Sequence, residues 1–164
     1  MPEYRDPVGF AEWEAQVPRV LTRSPIWRTP AYRYGAWLAA LATEDMRPLW
    51  RHAESRNIAH QLTRAADGIS STLAEGYGRT TGPERARYYD YAASSARETC
   101  DWYLKARPYL SADVVEARLD LVDRIIRILS VATPRERRDR IGRARRTRRT
   151  KGRLDESTGP PGGE

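Results

Sequence analysis

Few residues in the chain have the type and spacing for metal or covalent chemistry. His52 and His60, the two histidines, stand eight positions apart, with no cysteine, carboxylate or further histidine at the i, i+4 spacing that puts two ligands on one helix face. Cys100 is the sole cysteine; its neighbours are Thr99 and Asp101, and no adjacent histidine draws off its proton. It reads as a small packing residue, and it cannot make an intramolecular disulfide. Gly76-Tyr77-Gly78 with Arg79 faintly resembles a phosphate-cradling loop, but it follows a helical stretch instead of a strand and lacks a Gly-Lys-Ser/Thr ending. A helix C-cap is the simpler explanation. With no nucleophile-base pair, the expectation is a non-enzymatic protein that uses neither metal nor cofactor.

The remaining chemistry is that of charge. Glu75 falls in the last turn of an amphipathic helix, where a carboxylate opposes the helix dipole and calls for a cation. Arg64, Arg79 or Arg97 could supply it, either as an ion pair that fixes helix register or as part of a ligand site. Residues 1–133 hold 18 basic and 17 acidic side chains, whereas residues 134–153 hold 11 basic and 2 acidic. The excess positive charge is thus confined to Arg135, Arg137, Arg138, Arg140, Arg143, Arg145, Arg146, Arg148, Arg149, Lys151 and Arg153. Such a stretch has too few apolar residues to build a core and is expected to be disordered alone. RNA or DNA phosphates are its natural counter-charge, bound with little sequence readout; the alternative is a solvated basic tail without a partner. Arginine outnumbers lysine so heavily, with Lys105 and Lys151 the two lysines, that genome composition competes with selection for guanidinium chemistry as the cause.

These residues need helices to position them. Residues 1–29 form an irregular arm: Pro2, Pro7, Pro18 and Pro25 forbid a long helix, and a short one near Phe10 to Val17 is conceivable. Trp13 and Trp27 give the arm something to pack. Thr29-Pro30 opens the first bundle helix, with Tyr34, Trp37, Leu38, Leu41 and Ala42 at helical spacing and a kink or break at Pro48. A second helix starting near Ser55 or Asn57 carries the stripe Ile58, Leu62, Ala65, Ile69 and Leu73 and stops at Gly76-Tyr77-Gly78. Thr81-Gly82-Pro83-Glu84 starts a third. Its heptad-like seam is expected at Tyr88, Ser95, Trp102 and Tyr109 with Ala92, Thr99 and Ala106, leaving Tyr89 and Tyr103 on an adjacent face for a subunit interface or for stacking on bases. Ser111 opens a fourth, striped with Val115, Leu119, Val122, Ile126 and Leu129 and closed by Thr133-Pro134. The fold expected is all-α, an antiparallel up-and-down four-helix bundle over residues 30–133, followed by a disordered Arg-rich tail over 134–164. No apolar run long enough for a membrane span or signal segment is seen, so a cytoplasmic location is expected.

Gln61-Leu62-Thr63-Arg64-Ala65-Ala66, then Ile69-Ser70, Leu73-Ala74-Glu75-Gly76-Tyr77-Gly78-Arg79 and Glu84-Arg85-Ala86-Arg87-Tyr88-Tyr89 together resemble the four-helix-bundle family of proteins encoded in intervening sequences of 23S rRNA genes. The likeness extends through Ser95-Ala96-Arg97-Glu98 and Asp101-Trp102-Tyr103 and spans about residues 27–131. It implies structural roles for Gln61, Arg64, Glu75, Gly76, Arg79 and Arg97. It also implies a homo-oligomer, a five-membered ring (a pentamer), with a poorly defined nucleic-acid role and no enzymatic activity. The chain departs from the family pattern at Gly68, Thr72 and Ser94, where Ser, Asn and Gly are common. A more distant similarity, to the accessory variability determinant proteins of diversity-generating retroelements, implies the alternative of an adaptor that docks a reverse transcriptase.

Overall fold

The computed structural model describes residues 7–139. Ahead of the bundle lie two short helices, α1 (Phe10–Glu14) and α2 (Arg19–Thr22), and a 3-10 turn over Pro25–Arg28. Four long helices follow: α3 (Pro30–Asp45), α4 (Ala53–Tyr77), α5 (Gly82–Ala106) and α6 (Ala112–Arg138). Helix α3 packs on α4, α4 on α5, α5 on α6, and α6 returns to α3, closing an all-α bundle. Among the described residues there is no strand, and no helix is long and apolar enough to cross a membrane.

The local reasons for these elements are largely those expected. Pro30 occupies the first turn of α3, where its missing N–H costs nothing, although Thr29 makes no side-chain cap. After Pro48 the chain makes a 3-10 turn over Leu49–Arg51 before α4 begins. That helix starts earlier than Ser55: the Ser55 hydroxyl is buried and donates to the Leu49 carbonyl at 2.9 Å, tying the first turn of α4 to the turn before it. Gly78 ends α4 with φ of −73°, so a left-handed glycine is not what stops the helix. Thr81 and Glu84 form a reciprocal capping box at the head of α5, and Ser111 Oγ accepts from Val114 N at the head of α6.

Three expectations need correction. The buried face of α5 carries Arg85, Tyr89, Ala92, Ala96, Thr99, Tyr103 and Ala106, alternating steps of four and three. Ala92, Thr99 and Ala106 belong to the seam as expected, but their partners are Tyr89, Ala96 and Tyr103, not Tyr88, Ser95, Trp102 and Tyr109. Tyr103 is fully buried and Tyr89 nearly so, which removes both from any subunit interface or base stack. Tyrosine has enough apolar ring to serve as a core residue once its hydroxyl finds a partner.

The third correction is the end of α6, which runs through Pro134 to Arg138. The bundle therefore extends past residue 133, and Arg135, Arg137 and Arg138 are helical. Proline removes one backbone donor, but the last turn is held from outside: Arg85 Nε donates to Glu136 Oε2 at 2.8 Å and Arg137 Nη2 to Asp90 Oδ2 at 2.5 Å. The arm, by contrast, packs as its aromatics imply. Phe10 is completely buried, edge-on to Tyr34 and Trp37, and Glu14 Oε1 accepts from Trp27 Nε1 at 2.7 Å and from Arg33 at 3.0 Å.

At the end of the bundle away from Arg138, a polar triad joins three helices. Arg118 of α6 grips Asp45 of α3 with two hydrogen bonds, Nε to Oδ2 at 2.9 Å and Nη2 to Oδ1 at 3.1 Å, while Tyr103 of α5 donates to Oδ2 at 2.9 Å. Burial, followed by the Asp45 charge, raises the Tyr103 phenol pKa, so it stays a donor.

Candidate nucleic-acid interface

The end of α4, the head of α5 and the last turn of α6 meet at one end of the bundle, and Glu75, Gly76 and Arg79 of the motif gather there with Tyr88. Gly76 allows the closest contact: a Cβ at that position would lie 2.5 Å from the Cβ of Tyr88, so α4 and α5 approach only because position 76 has no side chain. Tyr88 then donates to Glu75 Oε1 at 2.9 Å, and Arg79 Nη2 donates to the same carboxylate oxygen at 2.7 Å. Arg79 also hydrogen-bonds the Tyr88 hydroxyl, and its guanidinium carbon lies 4.8 Å from the Tyr88 ring centre. The Glu75 hydrogen bond, followed by desolvation, raises the Tyr88 phenol pKa.

Arg79 is therefore the cation that Glu75 requires. Arg64 lies several turns earlier on α4 and pairs with Glu98 at 3.3 Å. Arg97 reaches neither carboxylate; it lines a groove between α5 and α6. Gln61 is half-buried near the start of α4, remote from the cluster. Tyr88 and Arg79 supply the polar partners of Glu75, so Thr72 in place of the common Asn leaves no gap at that carboxylate. Gly68 lies against Ser95, with 3.0 Å from a hypothetical Cβ to Ser95 Oγ.

Beside this knot sits a residue that the motif reading passed over. Arg85 is buried in the α5 seam, donates to the Arg79 carbonyl at 3.2 Å and to Glu136 at 2.8 Å, and lies 3.6 Å from Asp139. It joins the α4–α5 turn to the end of α6. Gly82 permits the same contact, since a Cβ there would collide with the carbonyl oxygens of Glu136 and Asp139. Seven-residue spacing with Ala92, Thr99 and Ala106 was the signal that could have placed Arg85 in the seam.

The electrostatics of this end are close to balanced. Arg79, Arg85, Arg87, Arg135, Arg137 and Arg138 face Glu75, Glu84, Asp90, Glu136 and Asp139, six positive charges against five negative. Arg135 and Arg138 are exposed, and Tyr91 is exposed with its hydroxyl 3.4 Å from Arg87. Arg140, Arg143, Arg145, Arg146, Arg148, Arg149, Lys151 and Arg153 lie outside the described residues. Cys100 is half-buried, and desolvation, then Asp123, raises its thiol pKa, the reverse of what activates a cysteine nucleophile.

Compared with known proteins, the chain has no match among the curated ones. It does match the family model of the 23S rRNA-intervening sequence proteins over residues 38–131, from the middle of α3 to near the end of α6. That stretch contains the Glu75, Arg79 and Tyr88 knot and the whole α4–α5 hairpin but neither the arm nor the basic segment. The match spans more than half of the chain, which therefore belongs to the 23S rRNA-intervening sequence protein family.

Proposed function

We propose that this protein is a non-enzymatic, cytoplasmic homo-oligomer whose bundle assembles several copies and whose basic segment, from Arg135 onward, binds RNA or DNA phosphates with weak sequence preference. The observation that supports it is the partition of charge: a body with 18 basic against 17 acidic residues, followed by a twenty-residue stretch with 11 against 2. The near-balance of charge over the rest of the chain supports the basic segment as the source of attraction for polyanions. Several such segments held in one assembly raise the local concentration of cations, so modest contacts add up to useful avidity. Tyr91, Leu104 and Tyr109 remain exposed and supply apolar surface for assembly. Five copies is the size that the resemblance implies.

The test is a titration of the full chain with a labelled single-stranded oligonucleotide at several salt concentrations. A companion variant carries Arg143→Gln, Arg145→Gln, Arg146→Gln, Arg148→Gln and Arg149→Gln. Each lost phosphate contact lowers the slope of log K against log salt by about 0.7, so the variant's slope falls by about 3.5. Undiminished binding by the variant, or no binding by the parent in dilute buffer, refutes the reading, and a monomeric mass in solution refutes the assembly.

A further inference from the structure

We infer that the groove between α5 and α6 is a nucleotide-binding subsite, in which one phosphate of a bound strand sits on Arg97 and its base lies on the apolar floor. This rests on the proposed binding of nucleic acid and adds a defined contact on the folded body. The groove holds about 320 Å³ and reaches Arg137 in the last turn of α6. That volume is at the small end of ligand sites, room for one nucleotide.

Its lining is mixed: Ala93, Ile126 and Pro134 give apolar surface over the buried Leu129, Ser94 and Ser130 add hydroxyls, and Arg97, Arg137 and Asp90 form the charged rim. Asp90 is engaged by Arg137 Nη2, which leaves that guanidinium with further N–H donors. Arg97 is different. Among the described residues it makes no hydrogen bond and no ion pair, while its neighbour Glu98 is taken by Arg64. An arginine has five donors in a planar fork suited to phosphate oxygens, and one that borders an apolar groove without a carboxylate partner is complementary to a ligand with an anionic and a flat apolar part. A nucleotide has both, and the flat face of any base can rest on an apolar floor without sequence readout. Placement agrees as well: Arg137, in the last turn of α6 and the first part of the basic segment, is itself on the groove's rim.

The experiment titrates the full chain with a fluorescein-labelled twelve-nucleotide oligouridylate, following anisotropy at four salt concentrations. Arg97→Ala is compared with Arg127→Ala, which removes another exposed arginine, one paired with Asp123 at 2.7 Å on α6 and outside the groove's lining. Arg97→Ala is expected to weaken binding about tenfold and to lower the salt slope by about 0.7, with Arg127→Ala near the parent in both. The same decrement is expected when Arg97→Ala is placed in the five-glutamine variant, because the two contacts are separate. If the parent binds and Arg97→Ala matches it, or if both single variants lose the same amount, the subsite is overturned while binding by the basic segment stands. If the parent does not bind in dilute buffer, the basic-segment reading falls and the subsite with it. Circular dichroism identical to the parent's confirms that each variant is folded.

Discussion

Removing Asp45 tests whether the triad at the far end of the bundle holds three helices together. The carboxylate receives three hydrogen bonds, two from Arg118 and one from Tyr103. In Asp45→Ala the phenol of Tyr103, fully buried, and the guanidinium of Arg118, with its side chain 18% exposed, both lose their partner. Breaking a buried charge pair by removing one member costs about 3 to 5 kcal/mol. Because water reaches part of Arg118, the lower end applies, about 3 kcal/mol. Tyr103→Phe removes one hydrogen bond to a charged acceptor that keeps its other two, about 1.5 kcal/mol. In the double variant no phenol is left orphaned, so the combined loss falls short of the sum by about 1 kcal/mol. Urea unfolding at pH 7, followed by far-ultraviolet circular dichroism, measures all three, with unchanged m values showing that the unfolded reference is the same. A loss below about 1 kcal/mol for Asp45→Ala, or strict additivity in the double variant, refutes the reasoning, because the triad would then be a solvated contact.

Three other outcomes are expected. Gly76→Ala places a methyl 2.5 Å from the Tyr88 Cβ, and the forced separation of α4 and α5 costs about 1 to 3 kcal/mol; thermal unfolding reads it as a lower Tm, and an unchanged Tm contradicts the close approach. Arg85→Met keeps the apolar stem but releases Glu136, so hydrogen exchange of the amides at residues 135–138 is expected to accelerate while those at the centre of α6 do not change. The hydrogen bonds from Thr81 hold the Glu84 carboxyl below the usual glutamate range. The stability it contributes is therefore present above the ordinary glutamate pKa and lost as pH falls through the lowered one. Thr81→Ala is expected to flatten that acid-side decline in a pH series of urea midpoints, and an unaltered decline counts against the capping box.

Local chemistry in the amino-acid order already specified most of the helices, because capping residues, prolines and apolar spacing act over a few positions. Thr81 through Glu84, Ser111, Pro30 and the Leu62, Ile69 and Leu73 stripe read correctly for that reason. The motif Leu73 to Arg79 was legible as a unit, and Arg79 was among the named partners of Glu75. Which arginine would win was not legible, since Arg64, Arg79 and Arg97 are equivalent in composition and differ only in where the turn between α4 and α5 leaves them. Two apolar periodicities coexist on α5, and the choice of Tyr89 and Tyr103 over Tyr88 and Trp102 for the interior depended on α4 and α6 closing over that face. Asp45 and Arg118, 73 residues apart, carry no local signal of their pairing. Pro134 reads as a stop, because a missing donor is a local defect; its compensation by Arg85 and Asp90 from a different helix exists only after the bundle has formed. Charge segregation needed no folding to be seen, whereas the groove that leaves Arg97 without a carboxylate is a product of packing, since only the docking of α6 on α5 sets an apolar floor beside that guanidinium.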